Sequence, residues 1–228
     1  MSAYRRKKRR GRGRKQKWYV RYRLLLGLAA LAAMLGLIVG VTNHRKNVIH
    51  ERTLSKIEAD TPDFDVQLLT VNSYSRPGTA LEQVKGIVIH YTANPGTSAQ
   101  ANRDYFEGLK DSHAAYASAH FIVGLEGEII QCIPTAEIAY ASNERNSDTI
   151  SIECCYENED GSFNQATYDE VIHLTAWLCA KFGLEGRDVI RHYDVTGKMC
   201  PLYYVEHEDA WVQFQKDVDT YLAEYRKK

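Results

Sequence analysis

The sequence predicts an α/β fold in which a central mixed β-sheet is flanked by helices, and it predicts one transmembrane helix before that fold. Short apolar segments that alternate like half-buried strands recur from residue 84 onward, and turn residues separate them. Segments with apolar residues at helical spacing lie between them. Strands interleaved with helices are typical of a sheet that is covered on both faces.

Five strands are predicted, and each combines β-branched or aromatic residues with turn residues at its ends. They cover residues 84–92, 119–123, 128–133, 149–156 and 189–193. Gly124 and Gly127 lie between the second and the third of them. This spacing indicates that these two strands form a hairpin.

Three helices are predicted around the strands. The first covers residues 96–109, with Thr97 or Ser98 as its cap. The second opens at the capping box of residues 167–170 and ends at Gly183. The third is a C-terminal amphipathic helix, and its large apolar residues are interpreted as core: Trp211, Phe214, Val218, Leu222 and Tyr225.

The charge of the chain is unevenly distributed. The formal net charge is zero, with 29 basic and 29 acidic residues, but residues 1–23 hold 12 of the basic ones and the first acidic residue is Glu51. The remainder of the chain therefore carries a net charge of −12. The composition is 44% apolar and 25% charged, which excludes a wholly disordered or collagen-like chain.

Residues 24–41 form an uncharged segment of eighteen residues directly after the basic block. As a helix this segment would span about 27 Å, close to the hydrocarbon thickness of a bilayer. Trp18, Tyr19 and Tyr22 precede it, where an interfacial aromatic belt belongs. The basic residues before it predict a cytoplasmic N-terminus and an exported remainder.

A cleaved signal peptide is the alternative, but the apolar segment exceeds the usual length and no convincing cleavage site follows. Gly36 and Gly40 match the small-xxx-small pattern, so a weak homodimer through them is possible. The basic tail is expected to fix topology and contact anionic lipid, and no nucleic-acid partner is expected. The predicted organisation is a cytoplasmic tail (1–23), a membrane anchor (24–41), a stalk (42–65) and an exported domain (66–228).

Four of the predicted strands place a histidine or a glutamate among apolar residues: His90, His120, Glu153 and His192. A buried charge is unfavourable unless it is paired or bound to a metal. One such residue would be a satisfied core histidine more often than not. Four of them in one small domain favour a functional site over isolated core residues.

Residues 192–201 provide the second indication of chemistry. His192 is followed by a loop with a turn glycine and by Cys200 before a proline, so this loop can return the thiol to the imidazole. With His90 from a neighbouring strand, two nitrogens and one sulfur suit tetrahedral zinc with an open fourth position. Zinc would lower the pKa of a water to about 7. Glu153 would act as general base, and Lys198 would stabilise an oxyanion.

Four segments of the chain resemble one enzyme family. IVIHYT (87–92), SAHFIV (118–123), SIEC (151–154) and HYDVTGKMCP (192–201) are similar to the zinc-dependent N-acetylmuramoyl-L-alanine amidases. This family includes phage lysozyme-like amidases, bacterial autolysins and peptidoglycan recognition proteins. The resemblance covers residues 74–201, and its most specific segment is the one that ends in Cys-Pro.

The resemblance implies a role for each residue at a matching position. It implies that His90, His192 and Cys200 bind Zn²⁺, that Glu153 is catalytic and that Lys198 is the loop lysine of the site. The implied reaction is hydrolysis of the amide between the lactyl group of N-acetylmuramic acid and L-alanine. The implied substrate is peptidoglycan.

Two further positions are implied to contact substrate. The position of His120 lies near the cleft in relatives without binding the metal. Many relatives carry an aromatic-His pair in the cleft, and here Tyr140 keeps the aromatic residue while Ala141 replaces the histidine. The substrate contacts of this stretch therefore differ from those of the family.

The expected function is that of a membrane-anchored zinc amidase that hydrolyses peptidoglycan outside the cell. The alternatives are a non-catalytic peptidoglycan-binding module and a zinc-stabilised scaffold; the presence of Cys200 and Glu153 favours the enzyme. Other hydrolase and nucleotide-binding signatures, such as H-E-x-x-H, G-x-S-x-G and the P-loop, are absent. The other cysteines are expected to be reduced and packed, although an exported protein permits disulfides.

Overall fold

The computed structural model describes residues 53–227 continuously and, before them, residues 18, 21–23, 28, 31–32, 34–42, 44 and 51. The chain divides into two compact units, Met1–Arg52 and Thr53–Lys228. Most of the basic tail lies outside the described residues, as does part of the segment 24–41.

The described residues of segment 24–41 are helical, and their side chains are exposed. Leu37, for example, exposes 72% of its surface. No helix formed by the described residues reaches the length and apolarity that a membrane span requires. The predicted homodimer through Gly36 and Gly40 stays a prediction.

The second unit is built on a mixed six-stranded sheet, as predicted. Its strands are β1 (Phe64–Val66), β2 (Gly86–Tyr91), β3 (Phe121–Val123), β4 (Ile129–Gln131), β5 (Thr149–Cys154) and β6 (Val189–Arg191). Their order is β1-β4-β3-β5-β2-β6, and β3 and β4 form the antiparallel pair while the other neighbours are parallel. All five predicted strands are present, each shorter than predicted.

Helices cover both faces of this sheet. They are α1 (residues 53–59), α2 (Ala99–Ser112), α3 (Gln165–Phe182), α4 (His192–Thr196), α5 (Leu202–Glu206) and α6 (Glu208–Arg226). Ser98 caps α2 by accepting a hydrogen bond from the Ala101 amide at 3.2 Å. Gly183 ends α3 with φ of 71°, as predicted.

The predicted start of α3 is wrong by three residues. Asn164 is the cap, because its side chain accepts a hydrogen bond from the Thr167 amide at 2.9 Å. Thr167 instead lies inside the helix, where its hydroxyl donates to the carbonyl of Gly124 at 2.8 Å. The helix therefore begins at the hairpin turn between β3 and β4 and is tied to it.

Strand alternation divides the core into two layers. One face of β2 and β5 carries Ile87, Ile89, Ile150 and Ile152, which pack with α3 and α6. The opposite face of the sheet packs with α2. His90 and Glu153 have the parity of this second face, as predicted from the two-residue period of strands. The five cysteines lie within the described residues, are buried and form no disulfide.

The compact unit begins at Thr53 and not at Val66, so the predicted boundary at residue 66 needs correction. Ile57 of α1 exposes only 6% of its surface, and its carbonyl accepts a hydrogen bond from the Trp177 indole at 3.1 Å. Strand β1, which was not predicted, pairs with β4. Residues 53–65 therefore belong to the folded unit and not to a stalk.

Candidate metal centre

Two adjacent parallel strands position the two histidines. His90 is the next-to-last residue of β2, and β2 pairs with β6 so that Ile89 lies opposite Arg191. His192 directly follows Arg191 and opens α4, so the predicted strand through residue 193 is too long. Because β2 and β6 run in parallel, both histidines meet at the same edge of the sheet.

The loop after α4 brings the cysteine to this edge. Gly197 ends α4 with φ of 77°, a left-handed conformation that glycine adopts freely. The Tyr193 amide then donates to the carbonyl of Cys200 at 3.0 Å, and the Cys200 amide donates to the carbonyl of Lys198 at 2.7 Å. These bonds fold the loop back so that Cys200 faces the histidines.

The three candidate ligands form one compact, buried cluster. Their ligand atoms all lie within 4.8 Å of one another. The Cys200 Sγ lies 3.8 Å from His90 Nδ1, and the ring centroids of His90 and His192 are 4.7 Å apart. Exposure is 2% for His90, 2% for Cys200 and 6% for His192.

The two histidines of the cluster are suited to bind a metal because burial favours their neutral form. Burial lowers the pKa of His90 and of His192, the His192 charge lowers that of His90 further, and the nearby charge of Lys198 lowers both, so the neutral imidazoles are favoured. Burial raises the pKa of the Cys200 thiol to about 12. The Nδ1 atom of His192 is buried and has no hydrogen-bond partner among the described residues. A neutral imidazole nitrogen without a partner, a second histidine and a thiol fit zinc with an open fourth position.

Glu153 lies beside the cluster on the neighbouring strand. It pairs in register with His90, and its Oε1 lies 4.0 Å from His90 Nδ1. Its Oε2 is buried and has no hydrogen-bond partner among the described residues. Burial raises the pKa of Glu153 to about 8, although 17% of the side chain is still exposed. The nearby charge of Lys198 acts in the opposite direction and favours the ionised carboxylate.

A cleft of about 340 Å³ opens onto the cluster. It is lined by the three ligand candidates, Glu153 and ten other residues: Tyr91, Phe106, Tyr116, Ala117, Ser118, Tyr140, Ala141, Asn143, Asn146 and Lys198. Lys198 is exposed in this cleft. Tyr140 packs edge to face against Tyr116, with ring centroids 5.9 Å apart. The cleft therefore combines a buried polar floor with aromatic walls.

His120 is not part of this cleft, so its expected contact with substrate needs correction. Its side chain exposes 1% of its surface. Its Nε2 donates to the carbonyl of Glu137 at 2.9 Å, and its Nδ1 accepts a hydrogen bond from the Ser151 amide at 3.0 Å. Both ring nitrogens are therefore occupied, and His120 joins β3 to β5 as a satisfied core histidine.

Two polar residues at the site were not predicted. Ser142 Oγ lies 3.2 Å from His90 Nε2, and Asn143 Oδ1 lies 3.0 Å from His192 Nε2. They directly follow the stretch that contains Tyr140 and Ala141. No motif marks them, because each contacts a residue about fifty positions away in the sequence.

Comparison with known proteins identifies the family. The family model described as N-acetylmuramoyl-L-alanine amidase matches residues 80–202, more than half of the chain. The amidase CwlL of Bacillus licheniformis is 40% identical over 166 residues, which are 67% of this chain and 46% of that protein. The amidase BlyA of Bacillus subtilis (strain 168) is 37% identical over 181 residues, 70% of this chain and 48% of that protein. The chain thus matches about half the length of these relatives.

Solved structures agree with this assignment. The catalytic domain of XlyA has a TM-score of 0.58 and 27% sequence identity, over 69% of this chain and 99% of that one. The structure of PlyL has a TM-score of 0.61 and 22% sequence identity, and the match covers 70% of this chain and 99% of PlyL. This likeness supports the fold. The sheet, the cluster and the sequence match lead to one conclusion: the chain belongs to the N-acetylmuramoyl-L-alanine amidase family.

Proposed function

We propose that this protein hydrolyses the amide between N-acetylmuramic acid and L-alanine in peptidoglycan, with zinc as its metal. The observation that carries the proposal is the unpartnered Oε2 of Glu153 beside the cluster of His90, His192 and Cys200. Burial raises the pKa of Glu153, so its ionised form is a stronger base than an ordinary carboxylate, and its unpartnered oxygen is available to accept a proton. Family membership and the amidase activity for which the relatives are named support the reaction and the substrate.

Each residue of the site would have its own role in amide hydrolysis. His90, His192 and Cys200 would hold the zinc, which supplies a Lewis acid that polarises a carbonyl and acidifies a water. Glu153 takes the proton of the attacking water and returns it to the leaving amine of L-alanine. Lys198 stabilises the negative charge that develops on the carbonyl oxygen. The aromatic walls formed by Tyr116 and Tyr140 would orient the substrate.

Incubation with purified cell walls tests this activity. We expect the full chain, purified in detergent and loaded with Zn²⁺, to release new amino-terminal L-alanine without releasing new reducing sugar ends. A chelator should abolish the release, and added Zn²⁺ should restore it. If stoichiometric zinc were bound and no new L-alanine termini appeared, the proposal would be wrong.

The non-catalytic peptidoglycan-binding module is the alternative function. A module of that kind would need neither a complete set of metal ligands nor a general base. In this chain Cys200 and Glu153 are both present and face the same cleft. The site therefore favours hydrolysis over binding alone.

We also infer that the protein is anchored in the cell membrane by residues 24–41, with the amidase unit outside the cell. The basic residues of the first 23 positions and the absence of acidic residues before Glu51 support this orientation. Trp18 and Tyr22 stack with ring centroids 5.6 Å apart, a pair suited to the lipid interface.

The orientation of the chain in the membrane is tested by adding protease to intact cells whose outer membrane surface is accessible. We expect digestion to remove the amidase unit, while an epitope placed before residue 18 stays protected until the membrane is disrupted. As a control, a cytoplasmic protein should also stay intact. An amidase unit recovered in the medium without residues 24–41 would instead indicate a cleaved signal peptide.

A further inference from the structure

The turn at residues 142–143 contacts both candidate histidine ligands at the Nε2 atoms of their rings. The Nε2 of His90 lies 3.2 Å from the Ser142 hydroxyl, and the Nε2 of His192 lies 3.0 Å from Asn143 Oδ1. We propose that Ser142 and Asn143 are positioning residues that orient both imidazoles for zinc. This proposal rests on the metal centre of the proposed function but not on the reaction.

The contact to Asn143 determines the tautomer of His192. An amide oxygen only accepts hydrogen bonds, so the Nε2 of His192 must carry the proton. In a neutral imidazole the lone pair is then on Nδ1. That atom is the buried nitrogen without a partner among the described residues, which leaves it free to bind a metal within the cluster that contains His192. Asn143 therefore keeps the ligand nitrogen of His192 deprotonated and directed at the metal position.

Ser142 acts on His90 in the same manner. Its side chain exposes 1% of its surface, so its hydroxyl is shielded from solvent. When His90 Nε2 donates to this hydroxyl, the lone pair is on Nδ1, which lies 3.8 Å from Cys200 Sγ. Hydrogen bonds of this kind to metal-binding histidines orient the ring and raise its basicity.

The backbone of the turn is itself held in place. Asn146 Oδ1 accepts hydrogen bonds from the amides of Ala141 and Ser142, at 3.0 and 2.6 Å. Asn143 has φ of 52°, in the left-handed region that is uncommon for residues other than glycine but tolerated by asparagine. One rigid turn thus spans two ligands that come from β2 and α4. It couples their orientations before any metal binds.

Substitutions at Asn143 separate the side-chain acceptor from the backbone conformation. Asn143→Gly removes the acceptor but accepts the positive φ without strain, whereas Asn143→Asp keeps an acceptor at the same place. We expect Asn143→Gly and Ser142→Ala to weaken Zn²⁺ affinity of the full chain by about 10–100-fold, measured by competition with a chromophoric chelator. Asn143→Asp should keep the affinity within a few-fold of wild type or strengthen it.

Two further readouts distinguish positioning from a general structural role. The midpoint temperature of thermal unfolding of metal-free Asn143→Gly should not fall below that of the metal-free wild type. The absorption spectrum of the Co²⁺-substituted protein should change in Asn143→Gly and stay close to wild type in Asn143→Asp. Wild-type zinc affinity in both Asn143→Gly and Ser142→Ala would overturn the proposal, and so would an equal loss in Asn143→Asp and Asn143→Gly.

The same measurements separate this proposal from the proposed reaction. If the variants at this turn bound zinc more weakly but the wild-type chain released no L-alanine, the positioning proposal would stand and the proposed hydrolysis would be wrong. If the wild-type chain hydrolysed cell walls and both Asn143→Gly and Ser142→Ala kept its zinc affinity, the proposed hydrolysis would stand and the positioning proposal would be wrong. A wild-type chain that binds no zinc would refute both.

Discussion

Replacing Glu153 by glutamine is expected to lower the rate of L-alanine release by about 10²–10⁴-fold and to leave zinc in place. The two side chains have nearly the same shape, but an amide cannot accept the proton of the attacking water. A loss of this size corresponds to about 3–5 kcal/mol of transition-state stabilisation. The measurement is kcat on cell walls together with the zinc content of the purified variant.

A matched substitution controls for the general effect of losing a carboxylate. Glu126 is exposed in the hairpin turn between β3 and β4, outside the cleft. Glu126→Gln should keep both the zinc content and the rate. If Glu153→Gln turned over at the wild-type rate, the assignment of the general base would be wrong. If it lost zinc as well as activity, Glu153 would act through the metal centre rather than in proton transfer.

Replacing Cys200 by serine is expected to remove both the zinc and the activity. A thiolate is a strong zinc ligand, whereas a serine hydroxyl is not among the usual ligands of this metal. Loss of an outer hydrogen-bond partner alone weakens metal binding by about 10–100-fold, so loss of a direct ligand should weaken it by more than about 100-fold. Chelator competition measures the affinity, and L-alanine release measures the activity.

Cys132→Ser is the matched control for this substitution. Cys132 is fully buried in the core layer beneath α2 and is not one of the candidate ligands. We expect this variant to be less stable, because its hydroxyl is placed among apolar side chains, but to bind one zinc with wild-type affinity. Tight stoichiometric zinc binding by Cys200→Ser would mean that the thiol is not a ligand.

Much of the candidate site follows from local pattern. The two-residue period of strands predicts that His90 and Glu153 lie on the face opposite the isoleucines of β2 and β5, and the structure confirms this. The loop of residues 192–201 is short, and its own backbone hydrogen bonds return Cys200 to the neighbourhood of His192. These predictions succeed because they depend on neighbours in the sequence.

Other parts of the fold could not be predicted in this way. Strand β1 (Phe64–Val66) has only three residues, too few for their alternation to mark a strand, and its pairing with β4 forms only when the sheet is assembled. The predicted start of α3 at Thr167 failed because the Thr167 hydroxyl donates to Gly124 in the β3–β4 turn and Asn164 caps the helix instead. The assignment of His120 failed because its partners, Ser151 and Glu137, lie on other segments.

The sequence by itself predicted the family, the mixed sheet and the three candidate metal ligands, because motif segments and strand patterns are visible in the residue types alone. It also determined the charge asymmetry on which the proposed membrane anchor rests. Only the tertiary structure decided that residues 53–65 join the folded unit and that Ser142 and Asn143 hold the two histidines. Those contacts join segments distant in the chain, and packing rather than local pattern brings such segments together.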